Sequence, residues 1–229
     1  LAWSPAGRAK LRRAAVDAGV EIMSVSPSFY WQGWEGDDGF ISDSPANRER
    51  AITELEFAID AAGALGADIV LLPFFRRCEI TEAKHKQRVI DVLREVSAAA
   101  GLIGVTITLE TSLPATENAE IVDAVDSPHA KVCYDAANKA ALYGYDEVRE
   151  VQTLGDRIGE YHVKDFHEPP PEFPDNYAAL GEGAVDQQGV ADALLEFGYD
   201  GWAMLETEVG KPLEYTASEL KYTKSLFEN

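Results

Sequence analysis

Residues 105–110 read VTITLE and residues 160–164 read EYHVK, and the pattern they share decides the fold. Successive side chains on a strand point to opposite faces. In the first stretch Val105, Ile107 and Leu109 therefore share one face, with Thr106, Thr108 and Glu110 on the other. In the second, Tyr161 and Val163 oppose Glu160, His162 and Lys164. Each stretch lies between helical patterns, so both belong to a β/α succession and hence to a parallel sheet. An open parallel sheet covered by helices on both sides is apolar on both faces. One apolar and one polar face fits a closed (β/α)8 barrel instead, with helices outside and an interior that leads to a site.

The alternation continues outward from these stretches. A helical pattern at 5–18, with Pro5 in its first turn and Gly19 as its stop, precedes strand-like VEIMSVS at 20–26. Helical 45–65 stops at Gly66 before ADIVLLPFF at 67–75, and helical 81–100 stops at Gly101 before the strand at 105–112. Shorter helices at 117–125 and near 145–155 lead to AKVCYDAAN at 130–138 and IGEYHVKDF at 158–166. A helix at about 187–197 leads to GWAMLETE at 201–208, and a last one covers about 216–227. No Ser-rich or Pro-rich linker divides the chain, so one domain over 1–229 is expected. A barrel of this class takes about 250 residues, and the strand count is short by two at the amino end. Because the first residue is Leu and not Met, the chain is expected to lack the first two βα units of the barrel.

Composition narrows the function. A chain of 229 residues that is 46% hydrophobic can bury a sizeable core and is not intrinsically disordered. Twenty Lys and Arg against 40 Asp and Glu give a net charge of −20, which repels polyanions and excludes a nucleic-acid partner. No run approaches the roughly 18 apolar residues of a membrane span. Cys78 and Cys133 form no CxxC pair and are too few for a disulfide scaffold, so a soluble, cytoplasmic protein is expected.

Four strands end in an ionisable residue on the polar face: Glu110, Asp135, His162 and Glu206. In a barrel such ends converge on one point at the carboxyl face. An ordinary solvated strand end explains any one of them, but not the same placement on four strands. Three carboxylates and an imidazole form a mixed oxygen and nitrogen set for one divalent ion, Mn²⁺ first, with Mg²⁺, Co²⁺ or Zn²⁺ also suited. Three carboxylates so close do not all stay ionised without a cation.

LE at 109–110, YDAAN at 134–138, HVKD at 162–165, LGEG at 180–183 and YDGWAMLE ending at Glu206 together resemble the xylose isomerase-like TIM barrels known as sugar phosphate isomerases and epimerases. The resemblance covers about residues 5–228. It implies that Glu110, Asp135, His162 and Glu206 bind one divalent metal, and that Glu110 and Glu206 flank a sugar or polyol substrate as catalytic acid and base. The implied chemistry is proton removal next to a ketone through an enediolate, giving isomerisation or epimerisation. An inosose-type dehydratase is the alternative on the same scaffold, and a non-catalytic sugar-binding barrel the alternative of a different class. A DNA-repair endonuclease of this fold needs a three-metal cluster and a basic groove, whereas Asn138 replaces one such His and the chain holds four His in all. The ketose 3-epimerase branch carries DxxH where this chain has Asp135 and Asn138, and an Arg before the Gly-rich turn where YAALGEG has none. A 3-epimerase of free ketoses is thereby disfavoured.

Lys164 shares the face of His162 and reaches either a substrate oxygen or a barrel carboxylate. Asn138 and Glu117 are further candidate substrate contacts, although Glu117 is equally explained as a carboxylate in the first turn of a helix. Trp31 belongs to an aromatic loop with Phe29, Tyr30 and Trp34 that stacks on a sugar ring or meets another subunit of a homo-oligomer. Arg76, Arg77, Lys211 and His167 read as solvated loop residues before substrate contacts, and His85 and His129 as structural. Cys133 shares the parity of Asp135 and is expected to pack as a small hydrophobe. LGEG only weakly resembles a phosphate-cradling turn.

Overall fold

A computed structural model describes residues 4–27, 38–167, 177–206 and 210–228. They form two compact units, one of Leu1–Leu113 with Glu120–Lys131, the other of Pro114–Ala119 with Val132–Asn229.

The first unit contains α1 (Pro5–Ala18), β1 (Ser24–Val25), α2 (Pro45–Leu65), β2 (Ile69–Phe74), α3 (Ala83–Leu102) and β3 (Thr106–Thr111). Both α1 and α2 start on a Ser-Pro pair. Ser4 and Ser44 accept from the N–H groups of Gly7 and Asn47 at 3.1 and 3.4 Å, which satisfies backbone donors that a helix start leaves open. Both end on a left-handed glycine, Gly19 and Gly66. The three strands pair in parallel, with Val25 opposite Val70 and Val70 opposite Ile107. All six residues of β2 are buried, and Phe40 packs on Phe74 with ring centroids 6.3 Å apart. In β3, Thr108 is as buried as Ile107 and Leu109, and Glu110 is nearly so. The polar face of this strand is therefore interior, as its alternation predicts.

Among the boundaries that differ from the sequence reading are those of the first strand and of α3. The first strand is only Ser24–Val25. Helix α3 runs through Gly101 to Leu102, so Gly101 is not its stop. A Cβ at Gly101 would lie 2.2 Å from the ring of His129, so glycine is there for close approach, and Gly104 at φ 77° makes the turn into β3.

In the second unit β4 (Ala130–Asp135, entering from the first unit) is followed by α5 (Ala136–Tyr143), α6 (Glu147–Leu154) and β5 (Ile158–Val163). Short strands β6 (Asp165–Phe166) and β7 (Tyr177–Ala178) pair antiparallel, and α7 (Gln187–Glu196), β8 (Trp202–Leu205) and α8 (Leu213–Phe227) complete it. The helix α4 (Ala115–Val125) begins in this unit. Strands β4, β5 and β8 are parallel, with Asp135 opposite His162 and His162 opposite Met204. Tyr134 and Tyr161 are fully buried and stack at 6.4 Å. The Tyr134 hydroxyl donates to the Glu147 carbonyl at 2.7 Å and so ties β4 to the start of α6. Gln187 accepts from the Tyr161 hydroxyl and donates to the Lys164 carbonyl, which fixes the start of α7 against the end of β5.

Candidate metal and active site

The parallel register places Asp135, His162 and Glu206 at the ends of three neighbouring strands, β4, β5 and β8. The Glu206 N–H donates to the Val163 carbonyl at 3.0 Å, which continues the β5–β8 pairing one residue past the strand. One donor atom from each of Asp135, His162 and Glu206 lies within 4.8 Å of the others. Asp135 and His162 are buried, whereas the Glu206 side chain is 38% exposed. The cluster thus has a closed side and an open side.

Each member is held by its neighbours. Asp135 uses Oδ1 to cap α5, accepting from the Asn138 N–H at 2.9 Å, while its Oδ2 lies 2.6 Å from Lys164 Nζ. Lys164 also donates to Glu206 Oε2 at 2.5 Å, so its ammonium bridges the two carboxylates. His162 sits between two further carboxylate oxygens, with Nδ1 3.4 Å from Glu206 Oε1 and Nε2 3.6 Å from Glu160 Oε1. Burial pushes the Glu206 carboxyl up, but Coulombic attraction to Lys164 and to the His162 ring and the Lys164 hydrogen bond outweigh it, leaving the group below its ordinary value. Glu206 is therefore a carboxylate at neutral pH.

Two carboxylates and an imidazole within coordination reach suit a hard or borderline divalent cation, so these residues fit the implied metal. Glu110 is the penultimate residue of β3 in the first unit, buried and opposite Pro73 of β2. Of the candidate substrate contacts, Lys164 stands in the cluster as the carboxylate partner that one of its two readings expects. Asn138 is buried in the first turn of α5. Glu117 lies in the first turn of α4 and is grouped electrostatically with Tyr145 and Glu150, the latter accepting from the Ala115 N–H. Trp31 and the aromatic loop around it lie outside the described residues. Arg76, Arg77 and His167 are exposed, Lys211 stacks over Tyr215, and Cys133 is buried.

The weak phosphate-cradle resemblance of LGEG has a different explanation. The N–H groups of Phe166, Gly181, Gly183 and Val185 all donate to the Asp165 carboxylate at 3.0–3.1 Å. Glu219 accepts from the Leu180 N–H. The turn does gather backbone donors around an anion, but the anion is the chain's own Asp165. Asp165 and Glu160 are among the acidic residues whose local roles the sequence reading left out, with Glu150 and Glu219. Glu160 was legible by its parity with His162, and Asp165 by its place in HVKD.

The family model of the xylose isomerase-like TIM barrel matches residues 1–226. The chain belongs to this family. Among relatives in it, a 2-epi-5-epi-valiolone 7-phosphate 2-epimerase from Actinoplanes sp. is 28% identical over 81% of this chain and 64% of its own length. An inosose isomerase from Bacillus subtilis is 28% identical over 73% of this chain and 64% of its own. The chain thus spans just under two thirds of the length of each. A crystal structure of IolI protein with a bound zinc atom superposes with a TM-score of 0.69 at 20% identity, over 94% of this chain and 79% of that one. The β/α succession read from the sequence is accordingly that of a xylose isomerase-like TIM barrel. Among the described residues no helix is long and apolar enough to cross a membrane.

Proposed function

We propose that this xylose isomerase-like barrel is a divalent-metal-dependent isomerase or epimerase of a sugar, sugar phosphate or related polyol ketone. The observation that carries the reading is the Asp135, His162 and Glu206 cluster at the ends of three parallel strands, buried on one side and open on the other. Relatives named as an epimerase and an isomerase support the reaction class. A solved structure of the same fold that holds zinc supports the metal.

Asp135, His162 and Glu206, with Glu110 as the fourth ligand, would hold one divalent ion. When bound, such an ion polarises a ketone and its neighbouring hydroxyl and favours the enediolate left when a carbon-bound proton departs. Glu206, ionised and part-exposed, takes that proton at one of its carboxylate oxygens. Glu110 is the second acid/base group, returning a proton on the other face of the substrate or to the neighbouring carbon. Lys164 orients a substrate oxygen with its ammonium and keeps Glu206 ionised. Asn138 and Glu117 bind hydroxyl groups, and Trp31 stacks on the ring.

The test is incubation with Mn²⁺ in D₂O across ketoses, ketose phosphates and inososes, following carbon-bound deuterium by NMR. Incorporation without loss of a hydroxyl supports the proposal, and the position of the label separates epimerase from isomerase. Elimination of water identifies a dehydratase instead. A metal-loaded protein that binds a sugar yet exchanges no proton is a binding barrel.

A further inference from the structure

Glu160 is 0% exposed and lies two residues before His162 on the same strand face, one layer deeper than the cluster. In register it sits opposite Cys133 of β4 and Trp202 of β8, whereas His162 sits opposite Asp135 and Met204. A carboxylate sealed from water is costly unless a donor faces it. The His162 ring faces Glu160 Oε1, with Nε2 at 3.6 Å. The nearby Tyr199 hydroxyl is engaged elsewhere, donating to the Trp202 carbonyl at 2.7 Å.

A neutral imidazole carries its proton on one ring nitrogen and a lone pair on the other. Only the nitrogen with the lone pair can bind a cation. Here the two nitrogens face different carboxylates, Nδ1 the outer Glu206 and Nε2 the inner Glu160. We infer that Glu160 is a positioning residue. It accepts the Nε2 proton of His162, selects that tautomer and directs the Nδ1 lone pair toward Asp135 and Glu206. The 3.6 Å separation needs to close by about half an ångström to reach hydrogen-bond length, a movement within what catalytic contacts make on loading. An acceptor behind a ligating imidazole also raises its basicity, and removing such a partner typically lowers metal affinity by about 10- to 100-fold.

The inference rests on the proposed metal site, so its test reads the ring without metal as well as with it. The chain has only His85, His129, His162 and His167, so long-range ¹H–¹⁵N spectra of ¹⁵N-His protein resolve each ring, with His162→Gln assigning the signal. In metal-free wild type at pH 8 the His162 proton is expected on Nε2. Glu160→Leu should shift it toward Nδ1 and lower Mn²⁺ affinity by about 10- to 100-fold. Glu160→Gln is near-isosteric and still accepts through its oxygen. It should fold, keep the tautomer and lose less affinity than Glu160→Leu. A wild-type ring protonated on Nδ1 overturns the inference even if Glu160→Leu fails to fold, as does a folded Glu160→Leu with wild-type tautomer and affinity. A wild type with the expected tautomer but no Mn²⁺ binding would sink the metal reading and leave the positioning of the ring standing.

Discussion

Lys164 has the most electrostatic work to do of any single residue in the cluster, since its ammonium touches Asp135 at 2.6 Å and Glu206 at 2.5 Å. Lys164→Met leaves both carboxylates facing one another. In metal-free protein this is expected to cost about 3 kcal/mol or less, the low end for breaking a buried pair, because the Glu206 side chain is 38% exposed and partly screened by water. Urea unfolding measures that loss, and steady-state kinetics should show KM rising more than kcat falls. Glu206→Gln removes a proposed ligand and base together while keeping shape. The expected result is an unchanged fold and turnover reduced by about 100-fold or more. Glu206 also sets part of the acid response. Its folded pKa is lowered, so its contribution is fully present above the ordinary carboxylate value and is lost as pH falls through the lowered one. The melting temperature of wild type should therefore fall across that acidic window, and Glu206→Gln should flatten the decline. At this scale the residues of the candidate cluster were legible because strand parity exposes them. The Lys164 bridge was legible only as one of two options, because parity says which face a side chain is on and not which neighbour it meets.

Among the elements, the turn at 180–185 is tied to β6 by a buried carboxylate, since Asp165 accepts from the N–H groups of Phe166, Gly181, Gly183 and Val185. Asp165→Asn should lower stability by about 1.5–3 kcal/mol, the range for hydrogen bonds to a charged group. Gly183→Ala should be worse. Its Cβ would meet Asp165 Oδ1 at 2.1 Å and the Phe166 carbonyl oxygen at 2.6 Å, and the backbone atom cannot swing aside. Chemical denaturation of both variants checks the order. Gly101→Ala tests the other close approach, with an expected loss of roughly 1–3 kcal/mol from overpacking against His129. The long elements α1, α2, β2, β4 and β5 were readable because caps, stops and alternation agree. What escaped was short or locally ambiguous. Helix α5 starts directly after its cap Asp135, in a stretch where the strand pattern and the metal-ligand candidate masked that cap. The β6–β7 pair has two residues on each strand, too few for a period to show. Gly101 was read as a stop because glycine ends helices more often than it admits a neighbouring ring.

For the whole molecule, the match of one family over residues 1–226 gives the fold on which the proposed metal site stands, and the net charge of −20 repels polyanions. The central proposal is that one divalent ion is shared by Asp135, His162, Glu206 and Glu110. With neutral His162 the four ligands carry a formal charge of −3, which a divalent ion largely offsets. The most direct measurement is equilibrium titration with Mn²⁺, reading free ion by electron paramagnetic resonance, for wild type and for Glu110→Gln, Asp135→Asn, His162→Gln and Glu206→Gln. The account predicts one ion per chain in wild type and affinity reduced by at least about tenfold in every variant. No bound ion in folded wild type, or a Glu110→Gln variant that binds as wild type does, would contradict it.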